Sequence, residues 1–205
     1  VYGAFIAMIQ TDFKYVIGFS SVSHMGLVFI GFATLTPQGL TGAGLQMFSH
    51  GIMTALFFSI VGMVYDRAHT RDIKELGGMV KYMPMAMVGF VVGGLVSMGM
   101  PGFSGFVAEI PIYLGAWKTY PLSAIISVIS IIVTAAYILL VVRRVFFGEV
   151  PASLPEGMKG INLADKTVIV LLSLVMILIG IFPSLLVPVI QAGVKHILVL
   201  TGGAL

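Results

Sequence analysis

Apolar stretches of about 20 residues, bounded by short polar clusters, recur along the chain, and that is the length an α-helix needs to cross a hydrocarbon core of about 30 Å. The pattern predicts helices over residues 15–35, 42–65, 83–100, 122–147 and 166–190, with residues 1–9 as the tail of a preceding helix. A sixth stretch, residues 103–117, is shorter and interrupted. Gly105 and Pro111 fall inside it, and Met100, Pro101 and Gly102 part it from the helix before. Pro84 opens its helix, where a missing N–H is harmless, whereas Pro183 is expected to kink or end the last helix early. The expected fold is all-α: a polytopic membrane helix bundle of about six transmembrane segments, one of them discontinuous, forming a single domain over residues 1–205. The chain opens at Val1 with no Met, basic leader or cleavage site, so it reads as a piece of something longer.

Composition supports a membrane solvent. Hydrophobic residues make up 59% of the chain and charged residues 9%, whereas soluble domains run near 25% charged. A net charge of +3 in a soluble protein would suggest nucleic acid. Here the Lys and Arg side chains sit beside apolar spans, so anionic lipid headgroups are the expected partner and nucleic acid is not. If every segment crosses, one side receives Lys14, Arg67, Arg71, Lys74, Lys81, Lys118 and Lys195, and the other Arg143, Arg144, Lys159 and Lys166. The positive-inside rule then puts the first side in the cytoplasm. The absence of cysteine excludes disulfides, thiolate metal sites and a cysteine nucleophile. No nucleotide-binding loop and no Ser/His/Asp arrangement is present, and the histidines lack the carboxylate or cysteine neighbours of a standard metal site. No cofactor or metal is expected in this chain.

The candidate chemistry is titratable groups inside apolar runs. Glu109 lies in FSGFVAEIPIYLGAW, residues 103–117, with Lys118 as the nearest formal charge in sequence. An ionisable side chain at membrane depth costs about 2.5 kcal/mol or more and persists mostly where it has a function. Pro111 has no N–H for the Val107 carbonyl, so irregular backbone is expected one turn from the carboxyl group, as at transporter ion sites. Glu109 is therefore the leading candidate for a proton carrier. His50 shares a helix face with Gln46 and Thr54, and His24 has Ser20 and Ser21 one turn behind it. Imidazoles and hydroxyls on adjacent helices suit a proton relay, but the same residues serve as interhelical hydrogen-bonding glue. Tyr113, Thr134 and Tyr137 could extend the polar set, although bundle packing explains each more simply, and Asp12 and Lys14 stand at the mouth of a helix, where solvated loop charge or lipid anchoring is the simpler explanation.

Three blocks carry a resemblance: QTDFKYVIGFSSVSHMG (10–26), GAGLQMFSHGIMTALFFSIVGMVYDRAHTRDIKELGG (42–78) and MPGFSGFVAEI (100–110). They resemble the antiporter-like membrane subunits of respiratory complex I, relatives of Mrp-type sodium/proton antiporters. Glu109 and Thr54, where sister branches carry Lys, resemble the M-type branch, called subunit 4 in mitochondria. The resemblance implies that residues 10–147 are the second of two inverted five-helix repeats and that 166–190 is a following transmembrane helix. It implies a multi-pass subunit of an energy-transducing membrane that couples quinone reduction by NADH or ferredoxin to proton pumping, without redox centres of its own. Glu109 would then be the terminal, exit-side proton carrier, with His50 and His24 as relays. The implied partners are other membrane subunits, including neighbouring antiporter-like ones, together with lipids and protons. An Mrp antiporter or membrane-bound hydrogenase subunit uses the same scaffold, and a non-translocating membrane scaffold is the reading from another class. Tyr15 departs from the family, where Arg commonly follows the Lys.

Overall fold

The computed structural model describes residues 1–155 and 157–201, which are helical apart from loops and one isolated backbone bridge between Asp12 and Asp72. The helices are α1 (Tyr2–Ile9), α2 (Phe13–Ala33), α3 (Pro37–Ala68), α4 (Pro84–Ser97), α5 (Ser104–Thr119), α6 (Pro121–Val141), α7 (Leu163–Ile181) and α8 (Val187–Thr201). Their starts follow from sequence. Asp12 caps α2 by accepting from the Lys14 and Tyr15 amides, Thr36 caps α3 ahead of Pro37, and Asn162 and Asp165 close a reciprocal capping box on α7. Four segments are long and apolar enough to cross a membrane: α2, α3, α6 with its terminal π turn (Val142–Phe146), and α7.

The central element is α3, and the order of contacts along it fixes the architecture. Gly39 approaches Gly115, Gly42 approaches Ala108 and Ile112, and Ser49 meets Ser104, all on α5. Farther along, Phe57 packs on Gly93 and Phe90, and Ile60 reaches Gly89, all on α4. Thus α4 and α5 lie end to end, antiparallel to α3. At about 21 Å and 24 Å neither spans a bilayer alone; together they make one interrupted crossing. The sequence pattern suggested separate crossings for residues 83–100 and 103–117, and this difference reverses the loops that follow. Every Lys and Arg except Lys118 and Lys195 therefore gathers at one end of the bundle, where Arg71 pairs with Asp12 at 3.3 Å and Arg67 with Asp165 at 2.8 Å. Arg143, Arg144, Lys159 and Lys166 belong to this end, contrary to the alternation taken from sequence, because the 147–162 loop returns to the 77–78 turn through the Gly78 N–H to Phe147 carbonyl bond. The asymmetry between the two ends is stronger than the sequence alternation suggested.

Two further boundaries differ from the sequence expectation. The helix expected over 166–190 starts at Leu163 and ends at Ile181; Pro183 heads a short 3₁₀ turn (Pro183–Leu185), and α8 follows as a separate helix. Ile190 of α8 faces Gly44, and Val194 and Leu198 cluster with Leu40 near the start of α3. The other difference is Pro111, which sits inside an unbroken α5. The break lies earlier, at residues 98–103, and is built by Gly99 in a left-handed conformation, φ +63°. The Gly99 amide bonds the Val96 carbonyl and the Met100 amide bonds the Leu95 carbonyl, the two bonds of a Schellman motif.

The cation-rich half of the core is dry and aromatic. Phe90 of α4 touches Phe57 at 4.7 Å, Phe13 at 5.4 Å and Phe146 at 5.5 Å between ring centroids, and all four rings are buried. The polar residues gather instead around the break.

Candidate functional site

The Schellman motif satisfies the carbonyls of Leu95 and Val96 and leaves that of Ser97, the last residue of α4, exposed toward α2. His24 meets it. Its Nε2 lies 3.2 Å from the Ser97 carbonyl oxygen and 3.4 Å from Ser97 Oγ, while its Nδ1 lies 2.8 Å from the Ser20 carbonyl oxygen. A carbonyl only accepts, so Nδ1 carries a proton and donates to Ser20. Nε2 then has a partner in either state: neutral, it accepts from the Ser97 hydroxyl; protonated, it donates to the Ser97 carbonyl. The ring can change charge without losing a hydrogen bond.

His50 of α3 stacks beside His24, with ring centroids 5.3 Å apart and planes inclined by 26°. Two imidazolium charges at this separation repel by about 3 kcal/mol at an effective dielectric of 20, so the pair holds one positive charge far more readily than two. The His50 Nδ1 and Gln46 Oε1 are buried and without a hydrogen-bond partner. Thr54, on the same face, is occupied otherwise: its hydroxyl donates back to the carbonyls of His50 and Gly51.

Glu109 is 5% exposed and lies on α5 one and a half turns past its start. Among the described residues no donor meets its carboxyl group. The left-handed Gly99 makes room for it, since a Cβ there would stand 2.7 Å from Glu109 Oε2. Its carboxyl group lines a cavity of about 10 Å³ with His24, Ser23, Ser97, Tyr113, Ser130 and Thr134, room for about one water. The Tyr113 hydroxyl is buried and faces Ser127 and Ser130 without closing a hydrogen bond. On the other side, Tyr137 of α6 donates to Ser20 Oγ at 2.7 Å, tying α6 to the turn that holds His24.

The structure thus brings His24, His50, Glu109, Ser20, Gln46 and Tyr113 to one region and leaves others outside it. Ser21 bonds back to the Ile17 carbonyl on its own helix. Asp12 and Lys14 stand at the cation-rich end, where Asp12 caps α2 and pairs with Arg71. Sequence reading passed over Ser23, Ser97, Ser127 and Ser130. A lone serine in an apolar helix carries little signal, although Ser123, Ser127, Ser130, Thr134 and Tyr137 recur every three or four residues, a helical stripe that was there to be read. Among the described residues no group of three or more His, Asp or Glu side chains is placed to hold a metal ion.

Comparison with known proteins agrees with this geometry. NADH-quinone oxidoreductase subunit M of Rhodobacter capsulatus is 36% identical over 197 residues, which are 96% of this chain and 38% of that one. NAD(P)H-quinone oxidoreductase chain 4 1 of a Synechococcus strain is 38% identical over 90% of this chain and 37% of its own length. The chain therefore spans less than half the length of these curated relatives. Among solved structures, respiratory complex I from Thermus thermophilus superposes with a TM-score of 0.85 at 31% identity, covering 95% of this chain and 42% of the matched one. The Mrp complex from a Dietzia species shares the fold, with a TM-score of 0.86 at 24% identity over 96% of this chain and 45% of that one. The protein is integral to the membrane and multi-pass. Residues 1–147 match the family model described as NADH:quinone oxidoreductase/Mrp antiporter, TM, and the chain belongs to that family.

Proposed function

We propose that this chain is the proton-translocating part of a membrane subunit of an NADH- or ferredoxin-dependent quinone oxidoreductase, with Glu109 as its proton carrier and His24 and His50 as relays. The observation that carries the reading is the buried Glu109 carboxyl group, without a hydrogen-bond partner, in one cavity with His24 and Ser97. A carboxyl group kept from water and from any counter-ion is inexpensive when protonated and costly when ionised. Its proton leaves readily only when water or a positive charge arrives beside it. A proton delivered to the His24–His50 pair supplies that positive charge: His24 donates to the Ser97 carbonyl, and its charge favours ionisation of Glu109 across the cavity. Electron transfer takes place elsewhere in the complex and reaches this chain as a change in charge or hydration along the line of polar groups. Neighbouring antiporter-like subunits and lipids surround it. The second reading is an Mrp-type sodium/proton antiporter subunit, in which these groups would serve ion exchange without an electron donor.

The test is Glu109→Gln in the full-length protein. Assembly is expected to persist, because the amide fills the same space, while proton pumping is lost; Glu109→Asp retains part of it. A normal ratio of protons pumped to electrons transferred in the Gln variant would overturn the assignment. Sodium flux that needs Glu109 but no quinone would favour the antiporter.

A further inference from the structure

α7 is held at both ends and exposed along one side. At its start, Asp165 of the capping box pairs with Arg67 at the end of α3, and the same guanidinium donates to the Lys159 and Gly160 carbonyls. Farther along, Ile169 fills the notch left by Gly89 of α4. At its end, Gly180 meets the turn that breaks the neighbouring crossing: a Cβ there would collide with the Gly102 carbonyl oxygen and the Phe103 Cα. The opposite face, with Leu171, Leu174, Leu178 and Ile181, is exposed.

The plain alternative is packing, since small residues commonly let membrane helices approach one another. Two observations go further. Ile169 meets α4 as a side chain in a notch and Met176 is wholly buried, whereas at Gly180 two main chains touch. The second main chain is the one that carries Glu109. Gly102, at φ +91°, and Phe103 are the last residues before α5; Glu109 stands six residues past Phe103, with its Oε2 beside Gly99 of the same turn. No side chain caps the start of α5. A turn with two left-handed glycines, Gly99 and Gly102, is soft, and its shape depends on what is pressed against it. Irregular backbone at membrane depth is tolerated where protein covers it, and on this side α7 is the cover.

We infer that α7 is a strut and that Gly180 is a positioning residue for Glu109. By pressing on Gly102 and Phe103 it sets the direction in which α5 leaves the turn. That direction fixes where the carboxyl group stands relative to His24 and Ser97 in their shared cavity. The consequence for pumping rests on the proposed role of Glu109; the consequence for position does not.

The test uses the full-length protein in the assembled complex, with Gly180→Ala as the first variant. Because α7 is anchored by Arg67 and at Gly89, the added methyl group is taken up by the glycine turn, the softer partner, and assembly is expected to persist. The setting of Glu109 is read as its rate of conversion to an N-acylurea by an apolar carbodiimide, located by mass spectrometry. Gly180→Ala is expected to change that rate about threefold or more and to cut pumping per assembled complex roughly tenfold, as a misplacement of about 1 Å does at a reacting group. Arg67→Ala frees the other end of α7 without a clash and is expected to change the rate as well, by less. Leu178→Ala, on the exposed face, should change neither. A glycine with a merely structural role would lower the midpoint of thermal disassembly and leave the rate and pumping as in the unaltered protein. That result in Gly180→Ala would overturn the inference, as would an unchanged rate in Arg67→Ala should Gly180→Ala not assemble. Normal pumping by Glu109→Gln would overturn the proposed function, and the carbodiimide rate, which needs no pumping, would still decide the positioning.

Discussion

The two halves of the interrupted crossing are built for opposite tasks. α4 presents glycines and Phe90 to a wall of rings, with Gly93 against Phe57 and Gly89 against Ile60 and Ile169, and no titratable side chain. α5 presents Glu109 and Tyr113 to cavities and meets α3 through backbone-close contacts at Gly42 and Gly115. One half is packed with rings, and the other carries the titratable groups. Where a single continuous helix would have one character along its length, the turn at residues 98–103 lets the change occur within a few residues.

The largest effect is expected from joining the halves wrongly. A Cβ on Gly105 would collide with the Val96 carbonyl oxygen, a backbone atom that cannot swing aside. Gly105→Val should therefore prevent stable assembly of the subunit, measured as its loss from the purified complex. Next is the dry half. Phe90→Ala removes a ring that touches three others and should cost about 3–5 kcal/mol, seen as a lower midpoint of thermal disassembly with pumping per surviving complex retained. If it abolished pumping in complexes that remain assembled, the division of labour would be wrong. Among the polar groups around the break, His50→Gln keeps a side chain of similar reach but cannot exchange a proton at neutral pH. Assembly should hold while pumping falls several-fold, and His50→Leu, which also removes the polar group, should lower pumping at least as far. An unchanged Gln variant would remove His50 from the relay. The smallest effect is expected at Thr54, whose hydroxyl serves its own helix. Thr54→Val should change stability by less than about 0.5 kcal/mol and leave pumping unaltered.

The sequence revealed the titratable groups more clearly than the backbone that arranges them. Glu109, His24 and His50 stand out because charge and imidazole are rare in apolar runs, and the structure gathers all three around one break. The parting at Met100, Pro101 and Gly102 is where the sequence put it, but the second interruption expected at Pro111 is absent. Proline is the strongest local signal for a broken helix, yet Pro111 is carried inside α5, where membrane helices tolerate such a defect. The residue that ends α4 is Gly99, one glycine among 25, and composition does not single it out. The same misreading counted two crossings where there is one, since 14 and 16 helical residues become a single span only when both are seen to follow α3. Ser97 was invisible for another reason: its carbonyl, a group every residue has, makes its closer contact with His24.

The uneven distribution of Lys and Arg also bears on how the protein is made. At the cation-poor end, α2 and α3 are joined by residues 34–36 and α5 and α6 by Tyr120 alone, so little polar backbone has to be carried through the bilayer during synthesis. The charged connections at residues 69–83 and 147–155 lie together at the cation-rich end. Each neighbouring pair can enter as a hairpin whose tip is short and uncharged.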